Sequence, residues 1–164
     1  MKYFYYFWYV FRHKLFVMIA CFKFKLYWLG LTHDMSKFLP SEFIPYMEHF
    51  YGSKVSIGRG RDETGYYKPT DTGDVDFDFA WLLHQKRNKH HWQWWCLPED
   101  EGVLKVLEIP IKYRMEMVAD WQGAGRAQRK PDTGKWYDAN KHKMSLGVNT
   151  RNWIEKQIGE EVTE

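Results

Sequence analysis

From Tyr3 to about Leu29 apolar positions run almost without interruption, and neither Pro nor Gly occurs before Gly30. Such a stretch is helix-compatible but too apolar all round for a one-faced surface helix, so it predicts a buried first helix. Periodicity restarts at Pro40-Ser41-Glu42. There Ser41 is the expected N-cap, Glu42 complements the helix dipole, and Phe43, Tyr46, Met47 and Phe50 form the apolar stripe, with the helix stopping near Gly52. Residues 52 to 74 hold five Gly, one Pro and many charges with no sustained period, which predicts a long surface loop that covers a site. Within it, Lys54 to Ile57 and Tyr66-Tyr67 are candidates for a short hairpin.

Helical pattern resumes at about Asp76 and continues through FDFAWLLHQKRNKHHWQWW to Leu97-Pro98, where Pro biases its predecessor out of helix. A short acidic link follows. Pro110 suits the first turn of another helix, in which Ile111, Met115, Val118 and Ala119 recur at helical spacing until Gly123 and Gly125 end it, leaving Asp120 in the last turn. Beyond the polar RKPDTGK segment, a helical stretch spans Trp136 to Met144, and Asn149 or Thr150 caps a final helix carrying Trp153, Ile154 and Ile158. The expected fold class is all-α, with no internal repeat.

Length and charge narrow the picture. A chain of 164 residues fits one domain, 1–164. With 24 Lys+Arg against 21 Asp+Glu the net charge is +3, too weak a bias to imply a nucleic-acid binder, and 45% hydrophobic residues exclude disorder. Aromatic residues are the anomaly: 9 Trp, 11 Tyr and 11 Phe, of which 13 fall between Tyr3 and Trp28. Arg12, His13, Lys14, Lys23 and Lys25 break that segment into runs far shorter than the roughly 20 residues a bilayer span needs. The basic residues also recur throughout it with no cleavage site after it, unlike a secretory signal. A cytoplasmic location without a membrane partner is therefore expected. Cys21 and Cys96 form no CxxC pair, and no disulfide is expected.

The candidate chemistry is metal binding. His33 and Asp34 are adjacent, Asp120 lies on a later helix, and His84 and His91 are seven apart, which on one helix returns them to within about 20° of the same face, with Asn88 between them and His90 directed elsewhere. Imidazole with carboxylate suits Mn, Fe, Co, Ni or Zn, and the lack of Cys partners excludes a thiolate zinc site. Lys37 stands about one turn after Asp34, where it can hold a substrate phosphate or a leaving oxygen. Trp92, Trp94, Trp95 and Trp121 are candidate stacking platforms, although Trp at helical spacing is commonly core. Arg59, Arg61, Lys86 and Arg87 are candidate phosphate contacts or plain solvated surface. The chain has no glycine-rich loop of the P-loop or dinucleotide type.

The order His13, His33-Asp34, Asp120 resembles the signature of the HD-domain metal-dependent phosphohydrolases, and the added His84 and His91 resemble members of that superfamily that hold two metals. The stretches HDMSKFLPSEF, NKHHWQWW and MVADWQGA also look like an uncharacterised family of small bacterial and phage proteins, a likeness that covers most of the chain. The resemblance implies a compact HD-domain-like helical bundle with a long loop after the third helix. It implies His13, His33, Asp34 and Asp120 as ligands of one divalent ion, with Asp34 bridging to a second held by His84 and His91. The implied activity is phosphoester hydrolysis, with Asp34 and Lys37 as catalytic groups, because a bound ion acidifies its water and neutralises phosphoryl oxygens. Many HD enzymes carry an acidic residue near the position of Lys37, so Lys37 is a departure. The expected partner is a small phosphorylated substrate, in particular a nucleotide, without a stable nucleic-acid complex. Two alternatives stand: a non-catalytic nucleotide- or metal-binding module, and an interaction domain whose aromatic first helix packs on a partner or on a second copy in a homo-oligomer.

Overall fold

The computed structural model of the protein describes residues 1–52 and 72–161. Most of the loop expected over 52–74, its candidate hairpin, Arg59 and Arg61 lie outside the described residues. Among the described residues seven α-helices make up nearly all regular structure: α1 (Lys2–Lys23), α2 (Tyr27–Thr32), α3 (Pro40–Tyr51), α4 (Val75–Arg87), α5 (Ile111–Ala127), α6 (Thr133–Asn140) and α7 (Val148–Glu161). The fold is all-α. Among the described residues a two-stranded antiparallel ribbon interrupts it, β1 (Cys96–Pro98) against β2 (Leu104–Val106), with Cys96 opposite Val106. The acidic link Glu99-Asp100-Glu101 is the turn of that hairpin.

Helix α1 is the axis of the molecule. It lies along α5 and also touches α2 and α3, while α3 packs on α4. The α1–α5 crossing is close because Gly123 faces the α1 backbone: a Cβ there would stand 2.6 Å from the Val17 nitrogen. Val17, Ala20, Cys21 and Ala119 fill this seam. On one side Tyr6, Val10, Tyr46, Met47, Phe77 and Ala80 join α1, α3 and α4. On the other, Met117, Val118, Tyr137, Met144, Ile154 and Ile158 join α5, α6 and α7. Cys21 and Cys96 are free thiols.

Several expected boundaries move. The first apolar run is not one buried helix. Lys25 adopts a left-handed φ of 59° and breaks it into α1 and α2, and only the stripe Tyr6, Val10, His13, Val17, Ala20 and Cys21 is buried. Ser41 does not cap α3: Pro40 occupies the first turn, Leu39 is the N-cap, and the Ser41 hydroxyl instead accepts from Arg87. Helix α4 stops at Arg87 rather than near Leu97, and a 3-10 turn (Trp92–Trp95) follows. Gly123 and Gly125 lie inside α5, which runs on to Ala127, so Asp120 is a mid-helix residue. Neither Asn149 nor Thr150 caps α7. Both lie in its first turn, and their N–H groups donate to the carboxylate of Glu108.

Candidate metal centre

The chain turns sharply after α2, and Asp34 takes a left-handed φ of 53°. Asp tolerates this conformation better than most residues, at a cost of order 1 kcal/mol. The turn directs His33 and Asp34 inward, where both are buried. His13 reaches the same point from the buried face of α1, and Asp120 from α5. His13 Nε2 stands 3.3 Å from Asp34 Oδ2 and 3.2 Å from Asp120 Oδ1, and His33 Nε2 stands 3.5 and 3.4 Å from the same two oxygens. The other oxygen of Asp34, Oδ1, faces His84 Nε2 at 3.5 Å and His90 Nε2 at 3.4 Å.

Two ligand-like groups therefore share Asp34: His13, His33, Asp34 and Asp120 on one side, and Asp34, His84, His90 and His91 on the other, with candidate ligand atoms within 4.8 Å of one another in each. All six residues expected to bind metal converge, and Lys37 joins them with its Nζ 2.6 Å from Asp34 Oδ2. His90 does so against expectation. Because α4 ends at Arg87, the helical-face argument does not apply beyond it, and the turn after Asn88 brings both His90 and His91 inward. Asn as a helix-ending residue is the signal in NKHH that pointed this way.

The separations fit a metal better than hydrogen bonds. Ligand atoms about 2.1 Å from a common ion lie roughly 3.0–3.4 Å apart, close to the observed 3.2–3.5 Å. The Nε2 atoms of His13, His33, His84, His90 and His91 and the Asp34 Oδ1 are buried with no hydrogen-bond partner. For His84 the opposite edge of the ring explains why. His84 Nδ1 donates to Glu42 Oε2 at 2.8 Å, so the Nε2 of the neutral ring turns a lone pair toward a carboxylate oxygen. Two acceptors face each other there, an arrangement that a cation between them relieves.

Glu42 and Glu116 stand behind the imidazoles of the cluster, and neither was expected there. Glu42 is fully buried and is held by Arg87 and Ser36 as well as His84. Glu116 lies 3.1 Å from His33 Nδ1 and 3.5 Å from His90 Nδ1. Carboxylates behind ligating imidazoles fix tautomer and ring orientation. Glu116 and Asp120 are four apart on α5 and so share a face, a spacing visible in the sequence; nothing local distinguishes Glu42.

The field of the site favours positive charge. Burial opposes a charged His33, yet the Asp34 charge, helped by the nearby Asp120 carboxylate and the hydrogen bond to Glu116, pushes its pKa up to about 10. Burial also opposes ionisation of Asp34, but His33 and Lys37 hold its pKa well below the usual carboxylate range. His91 goes the other way, held well below normal by burial and then by His90 and His84. These buried His and Asp groups could hold a metal ion.

A cavity of about 980 Å³ opens onto the cluster, lined by His13, Lys37, His91 and Asp120 and walled by Trp92 and Trp121 among other aromatic side chains. Trp94 and Trp95 are not among its walls. They lie against each other, with ring centroids 4.8 Å apart. Arg87 is engaged with Glu42 and Ser41.

Residues 2–160, nearly the whole chain, match a family described as "Family of unknown function (DUF5662)". The protein belongs to that family. No curated protein and no solved structure matches it.

Proposed function

We propose that the protein is an HD-type metal-dependent phosphohydrolase with two divalent transition-metal ions, acting on a nucleotide or another small phosphoester. The observation that carries this reading is Asp34: one carboxylate oxygen faces His13 and His33, the other faces His84 and His90. A carboxylate so placed would be shared by two ligand sets, the arrangement two-metal hydrolases use. His13, His33 and Asp120 complete one ligand set, and His84, His90 and His91 the other.

When bound, such ions supply Lewis acidity and an acidified water for attack on phosphorus. The chain supplies the rest. Asp34 and Asp120 neutralise charge, Glu42 and Glu116 hold the imidazoles in the ligating tautomer, and burial keeps bulk water out of the ligand set. Burial opposes a charged Lys37, but the charges of Asp34 and Asp120 and the hydrogen bond to Asp34 together raise its pKa. It therefore stays an ammonium, able to hold a phosphoryl oxygen but poorly suited to give up a proton, so proton donation to the leaving group falls to another group or to solvent. Trp92 and Trp121 offer apolar walls for the part of the substrate that is not phosphate.

The close Lys37–Asp34 pair also favours a second reading, a site that binds a nucleotide or metal without turnover, because an ammonium already compensates the central carboxylate. Metal analysis of the purified protein and a hydrolysis screen of nucleoside phosphates with Mn, Fe, Co, Ni or Zn separate the two. The expected result is bound metal, metal-dependent phosphate release, and loss of both in a folded Asp34→Ala variant. Metal without turnover supports the binding module. Absence of metal after supplementation, or full occupancy in Asp34→Ala, overturns the bridging assignment.

A further inference from the structure

Helix α1 presents its second face to solvent, and that face is apolar. Phe4, Trp8, Phe11, Leu15, Ile19 and Phe22 are all exposed, with Phe4 67% and Trp8 50% accessible. They lie opposite the buried stripe that carries His13. Their rings form a continuous surface: Phe11 stacks on Phe7 and on Trp8, with centroids 6.5 and 5.8 Å apart. The surface continues into α2, where Phe22 meets Tyr27 edge to face at 5.3 Å beside Trp28, which is 74% exposed. A patch of this kind on a folded chain marks an association surface.

Charge identifies the occupant. Residues 1–33 contain five Lys and Arg and no Asp or Glu. Lys2 is neutralised by Glu48, and Lys14 is tied to the carbonyls of Leu31 and His33. Arg12, Lys23 and Lys25 remain, and among the described residues they make no ion pair. A second copy suits this face badly. The 4-3-4 spacing of Phe4, Trp8, Phe11 and Leu15 is that of a coiled-coil seam, but such seams favour Ile, Val and Leu at the contact and opposite charges on the flanks, whereas self-pairing here opposes bulky rings and cations. The face is a convex ridge about 33 Å long, not a groove that receives a peptide. Aromatic residues with Lys and Arg are the composition of helices that lie in a membrane interface. Lying there needs no span, and among the described residues no helix is long and apolar enough to cross a membrane.

We propose that the exposed face of α1 and α2 docks the protein onto an anionic lipid surface, with the aromatic rings in the headgroup region and Arg12, Lys23 and Lys25 against lipid phosphates. The metal cluster lies on the other side of α1, so its cavity stays open to water. The proposal does not depend on the catalytic reading.

The test is co-flotation of the full chain with phosphatidylcholine vesicles, with and without phosphatidylglycerol, alongside sedimentation velocity without lipid. The expected result is a monomer that floats with phosphatidylglycerol-containing vesicles and is released by high salt. Each surface cation contributes about fivefold in affinity, so the doubly charge-reversed variant Arg12→Glu/Lys23→Glu should bind at least about tenfold more weakly. Trp8→Ser/Phe11→Ser, checked for native helicity, should also lose flotation. Four outcomes overturn the proposal: no flotation of the wild type, equal flotation with neutral vesicles, unchanged binding by the charge-reversed variant, or a wild-type dimer that Trp8→Ser/Phe11→Ser dissociates.

Discussion

Glu116 accepts from one edge of the His33 and His90 rings while their other edges face the Asp34 carboxylate. Replacing its charge without changing its size isolates that contribution. Glu116→Gln should fold and should bind Mn or Zn about 10- to 100-fold more weakly, as measured by competition with a chelator of known affinity; unchanged affinity would show that the carboxylate does not orient the ligands. His91 tests the count of ions. If it belongs to the set on the far side of Asp34, His91→Ala should lower the metal content by about half, because His13, His33, Asp34 and Asp120 remain to hold the other ion. A full complement in that variant would exclude His91 as a ligand.

At the scale of elements, the centre depends on how closely α1 approaches α5, since His13 and Asp120 come from those two helices. Gly123 permits that approach, and a Cβ there meets Val17 Cγ2 at 2.4 Å and, behind it, the Val17 backbone nitrogen at 2.6 Å, which cannot swing aside. Gly123→Ala should therefore cost about 1–3 kcal/mol of stability and weaken metal binding as well, read by urea denaturation and chelator competition. A second joint ties α7 down. Glu108 accepts from the Thr150 hydroxyl at 2.6 Å and from the N–H groups of Asn149 and Thr150. The Thr150 hydrogen bond, with those N–H groups and Arg114 assisting, lowers the Glu108 pKa from its usual 4.5. With the folded pKa below the unfolded one, the stabilisation is present above about pH 4.5 and disappears as pH falls through the folded value. Because Glu108 is exposed and solvent screens its charge, Glu108→Gln should cost less than about 1 kcal/mol at neutral pH, and the gap from the wild type should close in acid. A gap independent of pH would remove the carboxylate charge from the account.

For the whole molecule, the seven convergent side chains of the centre come from α1, the turn after α2, α4, the turn after α4, and α5, so ions held by the two sets would cross-link these elements. An ion that binds only the folded chain stabilises it by about 2.7 kcal/mol at a hundredfold excess over its dissociation constant. For a domain of this size that is roughly 5–10 °C in Tm. Adding a chelator to the loaded protein should lower Tm by that amount, and Asp34→Ala should show no such response. A Tm insensitive to metal and chelator in the wild type would mean the cluster holds no ion.

Which residues gather at the centre was largely readable before any fold was known, because His13, His33-Asp34, His84, His91 and Asp120 are residue types suited to ligate metals. Helical periodicity likewise sufficed for the all-α class and the starts of most helices. Three matters belonged to tertiary structure alone. Helix α4 ends at Arg87 and the following segment turns both His90 and His91 toward the cluster, a change of direction that no periodicity records. Gly123 continues α5 because packing against α1 stabilises the helix beyond what glycine costs, whereas local propensity reads it as a stop. The apolar first helix is buried on one face only, since burial depends on how many neighbours pack around an element, a quantity its own residues do not contain.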